Sequence, residues 1–123
     1  MPHLSFLKLN SMNTLVNHVQ LIGNLGADPE LGEKNGVKYA RFNMAVNGYY
    51  TSKEGERVED TQWHRVVVFN KLAEITEAML KKGTRVGVFA KLTNNRWEDE
   101  SGKIHYDTSI VGEEILTLSK KES

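Results

Sequence analysis

The 123-residue chain contains no cysteine, which excludes disulfides and thiolate metal sites and fits a reducing compartment. It has no apolar run near the roughly 20 residues that cross a bilayer. Residues Met1 to Met12 include Leu4, Phe6, Leu7 and Leu9 but lack the basic start, continuous apolar stretch and small-residue cleavage site of a secretory signal. A soluble intracellular protein without a membrane partner is expected. Catalytic signatures are missing too: there is no Gly-x-Ser-x-Gly, no His-Glu-x-x-His and no phosphate-binding glycine loop. The histidines His3, His18, His64 and His105 are not spaced as metal ligands. Neither enzymatic activity nor a cofactor or metal is expected. No repeat or low-complexity tract is present, and the length suits one domain.

Net charge is zero as well, but the average conceals a division. From Thr61 to Trp97 the cations Arg65, Lys71, Lys81, Lys82, Arg85, Lys91 and Arg96 face only Glu74 and Glu77, a surplus of five positive charges. Acidic residues gather elsewhere, at Glu54, Glu56, Glu59 and Asp60 and at Glu98, Asp99, Glu100, Asp107, Glu113 and Glu114. Within the basic region, Gln62 to Phe69 reads as a strand whose period of two puts Trp63, Arg65, Val67 and Phe69 on one face. Aromatic rings with a cation between them form a surface on which bases stack beside a neutralised phosphate. The other face, Gln62, His64, Val66 and Val68, sends two valines to a core. A lone strand aromatic is more often a core residue, but Arg65 between two rings argues for an exposed face. Trp97, after Asn94-Asn95-Arg96 near a hairpin tip, has little core to enter.

The remaining pattern supplies the architecture. A strand is predicted from about Val16 to Leu25, closed by Gly23, Gly26 and Asp28-Pro29. The Asn35-Gly36 turn leads into a second strand from Val37 to Asn47, with Tyr39 and Arg41 alternating along it, and then a polar loop from Gly48 to Asp60. After the Gln62–Phe69 strand, Asn70 is read as the N-cap of a helix from Lys71 to Leu80 with an apolar stripe of Leu72, Ile75, Met79 and Leu80. Lys81-Lys82-Gly83 is read as its C-terminal signal, so the two lysines serve either the helix end or a phosphate. Val86, Val88, Ala90 and Leu92 mark a fourth strand, and Ile104 to Leu118 a fifth. The order β-β-β-α-β-β, all-β with one short helix, is that of the five-stranded OB-fold barrel.

Several segments carry a resemblance to the bacterial-type single-stranded DNA-binding proteins (SSB). They are Leu21-Ile22-Gly23-Asn24-Leu25-Gly26 with Asp28-Pro29-Glu30, then Trp63-His64-Arg65-Val66-Val67 with Phe69 and Lys71-Leu72-Ala73-Glu74, then Lys82-Gly83 and Trp97. The similarity spans about Asn13 to Leu118, leaving residues 1–12 as an extension expected to be flexible and 119–123 as a short end. It implies a homotetramer, or in some relatives a dimer, that wraps and protects single-stranded DNA in replication, recombination and repair without reading sequence. The positions matching the family's stacking aromatics are Tyr50, Trp63, Phe69 and Trp97, and the one matching its subunit-contact histidine is His64. Arg65, Lys71, Lys81, Lys82, Arg85 and Arg96 are the candidates for phosphate contacts. His64 is open to a plain hydrogen-bonded structural role as well.

The chain departs from the family pattern in places. Relatives more often show a charged residue and glycine where Phe89-Ala90 stand, and arginine at Thr93 and Asn95, so weaker salt sensitivity is expected here. The sequence stops at Lys120-Lys121-Glu122-Ser123 without the Gly, Pro and Gln-rich tail and acidic tip that recruit other proteins, so tail-mediated recruitment is not expected. Met12 is a second possible start. A cytoplasmic, nucleoid-associated location is expected, ahead of the mitochondrial matrix. The alternative function is a replication-restart (primosomal) OB-fold adaptor working mainly through protein contacts.

Overall fold

Period-two alternation gives each strand an inner and an outer side, and here the inner sides meet. The computed structural model describes residues 16–118. Its elements are β1 (Val19–Leu25), β2 (Glu30–Lys34), β3 (Val37–Thr51), β4 (Arg57–Phe69), α1 (Lys71–Met79), β5 (Arg85–Glu98) and β6 (Ile104–Thr117). Phe42 and Met44 on β3, Val66 and Val68 on β4, and Val86, Val88 and Ala90 on β5 are buried together with Leu25 and Ala40. Each large side chain so placed contributes about 1.5–3 kcal/mol of apolar burial.

Hydrogen bonding closes the sheet on itself. β1 pairs antiparallel with β5, β5 with β6, and β4 with β3, while β6 meets β4 in parallel through Val66↔Ile110 and Val67↔Val111. Asn24↔Ala45 and Leu25↔Met44 join β1 back to β3 and complete a ring of five strands, the expected OB-fold barrel. Two glycines sit where strands crowd: a Cβ on Gly23 would strike the Ala45 carbonyl, and one on Gly112 would lie 2.6 Å from Val68 Cγ1. Gly23 therefore does not close β1, as the sequence suggested; it lies inside the strand and lets β3 cross it.

Other expectations need correction. β1 begins at Val19, not Val16, and β2 is a sixth strand along the β3 edge, in a segment to which the sequence assigns no element. The Asn35-Gly36 turn is as expected, with φ of 54° and 79°, both positive as a two-residue primed hairpin turn requires. The stretch from Gly48 to Asp60 is mostly paired, from Gly48↔Asp60 to Thr51↔Arg57, so only the tip is a loop. Asn70 does not cap α1 through its side chain. Its φ is 56° and its ψ −123°, outside the left-handed helical region, and its N–H donates to the Lys38 carbonyl at 2.9 Å. The helix ends at Met79 with no basic residue in its last turn, so Lys81 and Lys82 lie beyond it. Ala73, Thr76 and Leu80 are its buried face, with Leu72 packed beside them and Met79 turned to solvent. Residues 1–12 and 119–123 lie outside the described residues.

Candidate nucleic-acid interface

Because Val66 and Val68 point inward, Trp63, Arg65, Val67 and Phe69 line the outside of β4. Register sets Ala45, Asn43, Arg41 and Tyr39 of β3 opposite them, in that order. The result is a two-strand platform about 20 Å long, at roughly 3.4 Å per residue. Trp63 is 61% exposed and Phe69 42%, so neither ring belongs to the core. Glycines on neighbouring strands seat the rings at its ends. A Cβ on Gly26 would lie 2.5 and 2.7 Å from Cζ3 and Cη2 of Trp63, and one on Gly32 would strike the Tyr39 ring. The Tyr39 ring thus rests on bare backbone, while the Trp63 indole brings its six-membered edge against the Gly26 backbone.

Between the rings lie two guanidinium groups. Arg41 stands 5.3 Å over the Tyr39 ring and 3.5 Å from the Glu30 carboxylate, and its Nε is buried without a hydrogen-bond partner. Arg41 and Arg65 together line two grooves. One, of about 180 Å³, also takes in Asp28, Glu30 and Asn43; the other, of about 380 Å³, takes in Phe69 and residues Asp107 to Ile110 of β6. The grooves meet along the platform, so a chain of phosphates and bases laid across it passes both cations.

The remaining predicted cations surround this face. Lys71 opens α1 directly after Phe69-Asn70. Lys81 and Lys82 lie in the turn before β5 and Arg85 opens that strand; the turn is tied to the bend that seats Trp63, with Gly83 N–H donating to the Leu25 carbonyl at 2.9 Å and Lys82 N–H to Asp28 Oδ1 at 2.8 Å. Arg85 also donates to Asn24 Oδ1 at 3.3 Å. Among the described residues, Arg65, Lys71, Lys81, Lys82 and Arg96 form no ion pair.

Two hairpins project past the barrel. On the β3–β4 ribbon, Tyr50 is exposed but lies, by alternation, on the face opposite Trp63, whereas Tyr49 shares the Trp63 face and carries the Arg57 guanidinium 4.0 Å over its ring. On the β5–β6 ribbon, Trp97 pairs with His105 across the strands, their rings stacked at 4.2 Å and 14°. Asp99 Oδ2 holds the imidazole Nε2 at 2.7 Å, while Oδ1 accepts from Ser101 Oγ and from the N–H groups of Ser101 and Lys103. These bonds, the one to His105 foremost, lower the Asp99 pKa to about 2. Arg96 occupies the reverse face beside Tyr106. His64 is half-buried opposite Met44 on the inward side of β4, away from the Trp63 row.

Sequence reasoning passed over Tyr39, Arg41, Tyr49 and Tyr106 as site residues. The first two were visible as alternating along β3, but their value depends on register with β4, which no local signal carries.

Residues 16–118 match the model of the single-strand binding protein family. The chain belongs to that family. This family member is 39% identical over 109 residues to single-stranded DNA-binding protein 1 of Xylella fastidiosa (strain 9a5c), an alignment covering 87% of this chain and 80% of that protein. Its fold is similar to a Plasmodium falciparum SSB solved in complex with ssDNA, with a TM-score of 0.73 and 29% identity over 85% of this chain and 96% of that one. It is also similar to a deletion mutant of the single-stranded DNA-binding protein from Thermus aquaticus, with a TM-score of 0.76 and 28% identity, where it spans about half (51%) of the longer chain and 85% of itself. No helix among the described residues is long and apolar enough to cross a membrane. Among the described residues no cluster of His, Asp or Glu could hold a metal ion.

Proposed function

We propose that this family member binds and protects single-stranded DNA without reading its sequence, in replication, recombination and repair, by stacking bases on exposed rings and pairing phosphates with Lys and Arg. The observation that carries this reading is the outer face of β3–β4, where Trp63 and Phe69 flank Arg41 and Arg65 on a surface the fold leaves uncovered. Stacking is worth about 1–3 kcal/mol per base and any base has a face to offer, so affinity is high and selectivity low. Lys71, Lys81, Lys82 and Arg85 extend the phosphate path, Trp97 offers a further ring on the β5–β6 ribbon with Arg96 on the reverse of it, and Tyr50 offers one on the reverse of the other hairpin. The protein acts as a binder and not as an enzyme, in the cytoplasm on nucleoid DNA.

A second surface supports self-association as a homotetramer. On the outside of β1, β5 and β6, Ile22, Leu116 and Leu118 are exposed and border a hollow of about 650 Å³ with Phe89 and Gly87. From Val19 to Gly23, β1 pairs only with β5, which leaves its other edge open. A second copy covers this face, and His64 contributes to subunit contact.

The test is titration of oligothymidine against tryptophan emission. Strong quenching that weakens with salt, and that falls in Trp63→Ala, is the expected result. Weak affinity insensitive to salt would instead point to an adaptor acting through protein contacts. Sedimentation should give a mass above that of one chain, reduced by Leu116→Glu; a monomer at all concentrations would remove the tetramer.

A further inference from the structure

Trp97 sits where it has no core to hold it. It lies on a two-stranded ribbon beyond the barrel and is 51% exposed. An indole in such a place would turn freely about its side-chain bonds, and binding a base would first require it to be ordered. Here one face is already occupied. The imidazole of His105, its cross-strand partner, lies flat against it at 4.2 Å and 14°. The imidazole is fixed in its turn by Asp99 Oδ2 at 2.7 Å, and Asp99 is fixed by the reversal itself, through Ser101 and Lys103 N–H groups at 3.0 Å each. The chain of contacts therefore runs from the backbone of the turn, through a carboxylate and an imidazole, to the indole. No residue in it packs on the hydrophobic core, so stability of the barrel does not account for it.

We propose that His105, locked by Asp99, is a positioning residue that holds the Trp97 ring in one orientation and presents its free face to a base of the bound strand. This rests on the single-stranded DNA reading above. It gives the ribbon a seat for its indole, as Gly26 does at the barrel, where the close backbone takes the edge of Trp63. Trp97 is then a single-sided platform, taking one base rather than intercalating between two.

The chain has two tryptophans, so in a Trp63→Phe protein all indole emission belongs to Trp97. In that background His105→Ala should bind oligothymidine about tenfold less tightly, within the range of one stacked base. Its indole should also be more accessible to acrylamide in the absence of DNA. His105→Phe, which keeps a flat ring, should restore affinity to within about twofold of the background protein and restore shielding, while Asp99→Asn should give an intermediate loss. Thermal unfolding midpoints of all variants should agree, because the ribbon lies outside the core. The inference is overturned if His105→Ala binds as tightly as the background protein, or if His105→Phe is as weak as His105→Ala. Should the background protein bind no oligothymidine at all, the DNA-binding reading fails and takes the inference with it. If it binds normally and only the His105 series is silent, the inference alone is lost.

Discussion

Replacing Gly26 by alanine should impair binding while leaving the fold intact. Gly26 does not have a positive φ, and its N–H donates to the Asn43 carbonyl at 3.1 Å, a bond that alanine keeps. The backbone therefore accepts a Cβ, and the smaller freedom of the unfolded chain makes the change neutral or stabilising by up to about 1 kcal/mol. The obstacle is the Trp63 ring, whose Cζ3 and Cη2 would lie 2.5 and 2.7 Å from the new methyl. Carbon atoms settle at roughly 3.5–4.0 Å, so the ring must move outward by about 1 Å. Since Trp63 is 61% exposed, it can do so without disturbing the core. Its place on the platform then shifts.

The magnitude follows from the stack. Loss of the whole ring in Trp63→Ala should cost about 1–3 kcal/mol, between fivefold and 150-fold in affinity for oligothymidine. A displaced ring loses part of that, about 1 kcal/mol or fivefold for Gly26→Ala. The decisive comparison is the double mutant. If Gly26 acts only by seating the indole, Gly26→Ala with Trp63→Ala should bind no worse than Trp63→Ala alone, because the two sites are fully coupled. Fluorescence anisotropy of a labelled oligothymidine measures all four affinities, and calorimetry checks the fold. Additive losses in the double mutant, or a drop in unfolding midpoint for Gly26→Ala, would refute the seating argument.

Arg41→Gln and Arg65→Gln should each flatten the slope of log affinity against log salt by about 0.7, as loss of one phosphate contact to a single strand requires; unchanged slopes would place the strand elsewhere. Thr76→Val should raise the unfolding midpoint by roughly 1 kcal/mol equivalent, because the Thr76 hydroxyl is buried without a hydrogen-bond partner and valine keeps its shape; a lower midpoint would mean the hydroxyl has a partner. Asp99 is depressed from 3.8 to about 2, so its contribution to the β5–β6 turn is complete above pH 3.8 and is lost as pH falls through 2. A carboxyl titration followed by NMR should show that midpoint, and His105→Phe should move it upward toward the ordinary range, since the imidazole is the largest cause.

The parts of the fold that the sequence revealed are those where one strand face is wet and the other dry. Val66 and Val68 against Trp63, Arg65 and Phe69 give an alternation with only one reading, as do Val86, Val88 and Ala90. Strands exposed on both sides carry no such contrast. Glu30–Lys34 has mostly exposed residues on either face and so carries no strand signal, and the charged stretch from Gly48 to Asp60 reads as a loop because its hairpin stands clear of the barrel. Turn chemistry was legible at Asn35-Gly36 but misleading at Asn70, where a residue suited to capping makes no side-chain cap and sits at φ 56° and ψ −123°. Of the site, the aromatics and cations could be named from local pattern; Arg41, Tyr39 and the Trp97–His105 stack could not, since they depend on which residue of one strand lies opposite which of another.

That division between dry and wet faces also separates stability from binding. Inward residues such as Met44 and Val68 hold the ring closed and touch nothing outside it, while Trp63, Arg65, Trp97 and His105 could change with little effect on the core. The glycines break the separation. Gly23 and Gly112 let strands approach within the barrel, whereas Gly26 and Gly32 let rings pack close against its exterior. All are the same residue type in strands or their bends, and a substitution at the first pair should unfold the protein whereas one at the second should leave it folded and disturb only the platform. A glycine scan read by both unfolding and oligothymidine affinity would therefore sort these positions by what each empty Cβ site is for, and a scan in which the two readouts fell together at every position would show that fold and surface are not separable here.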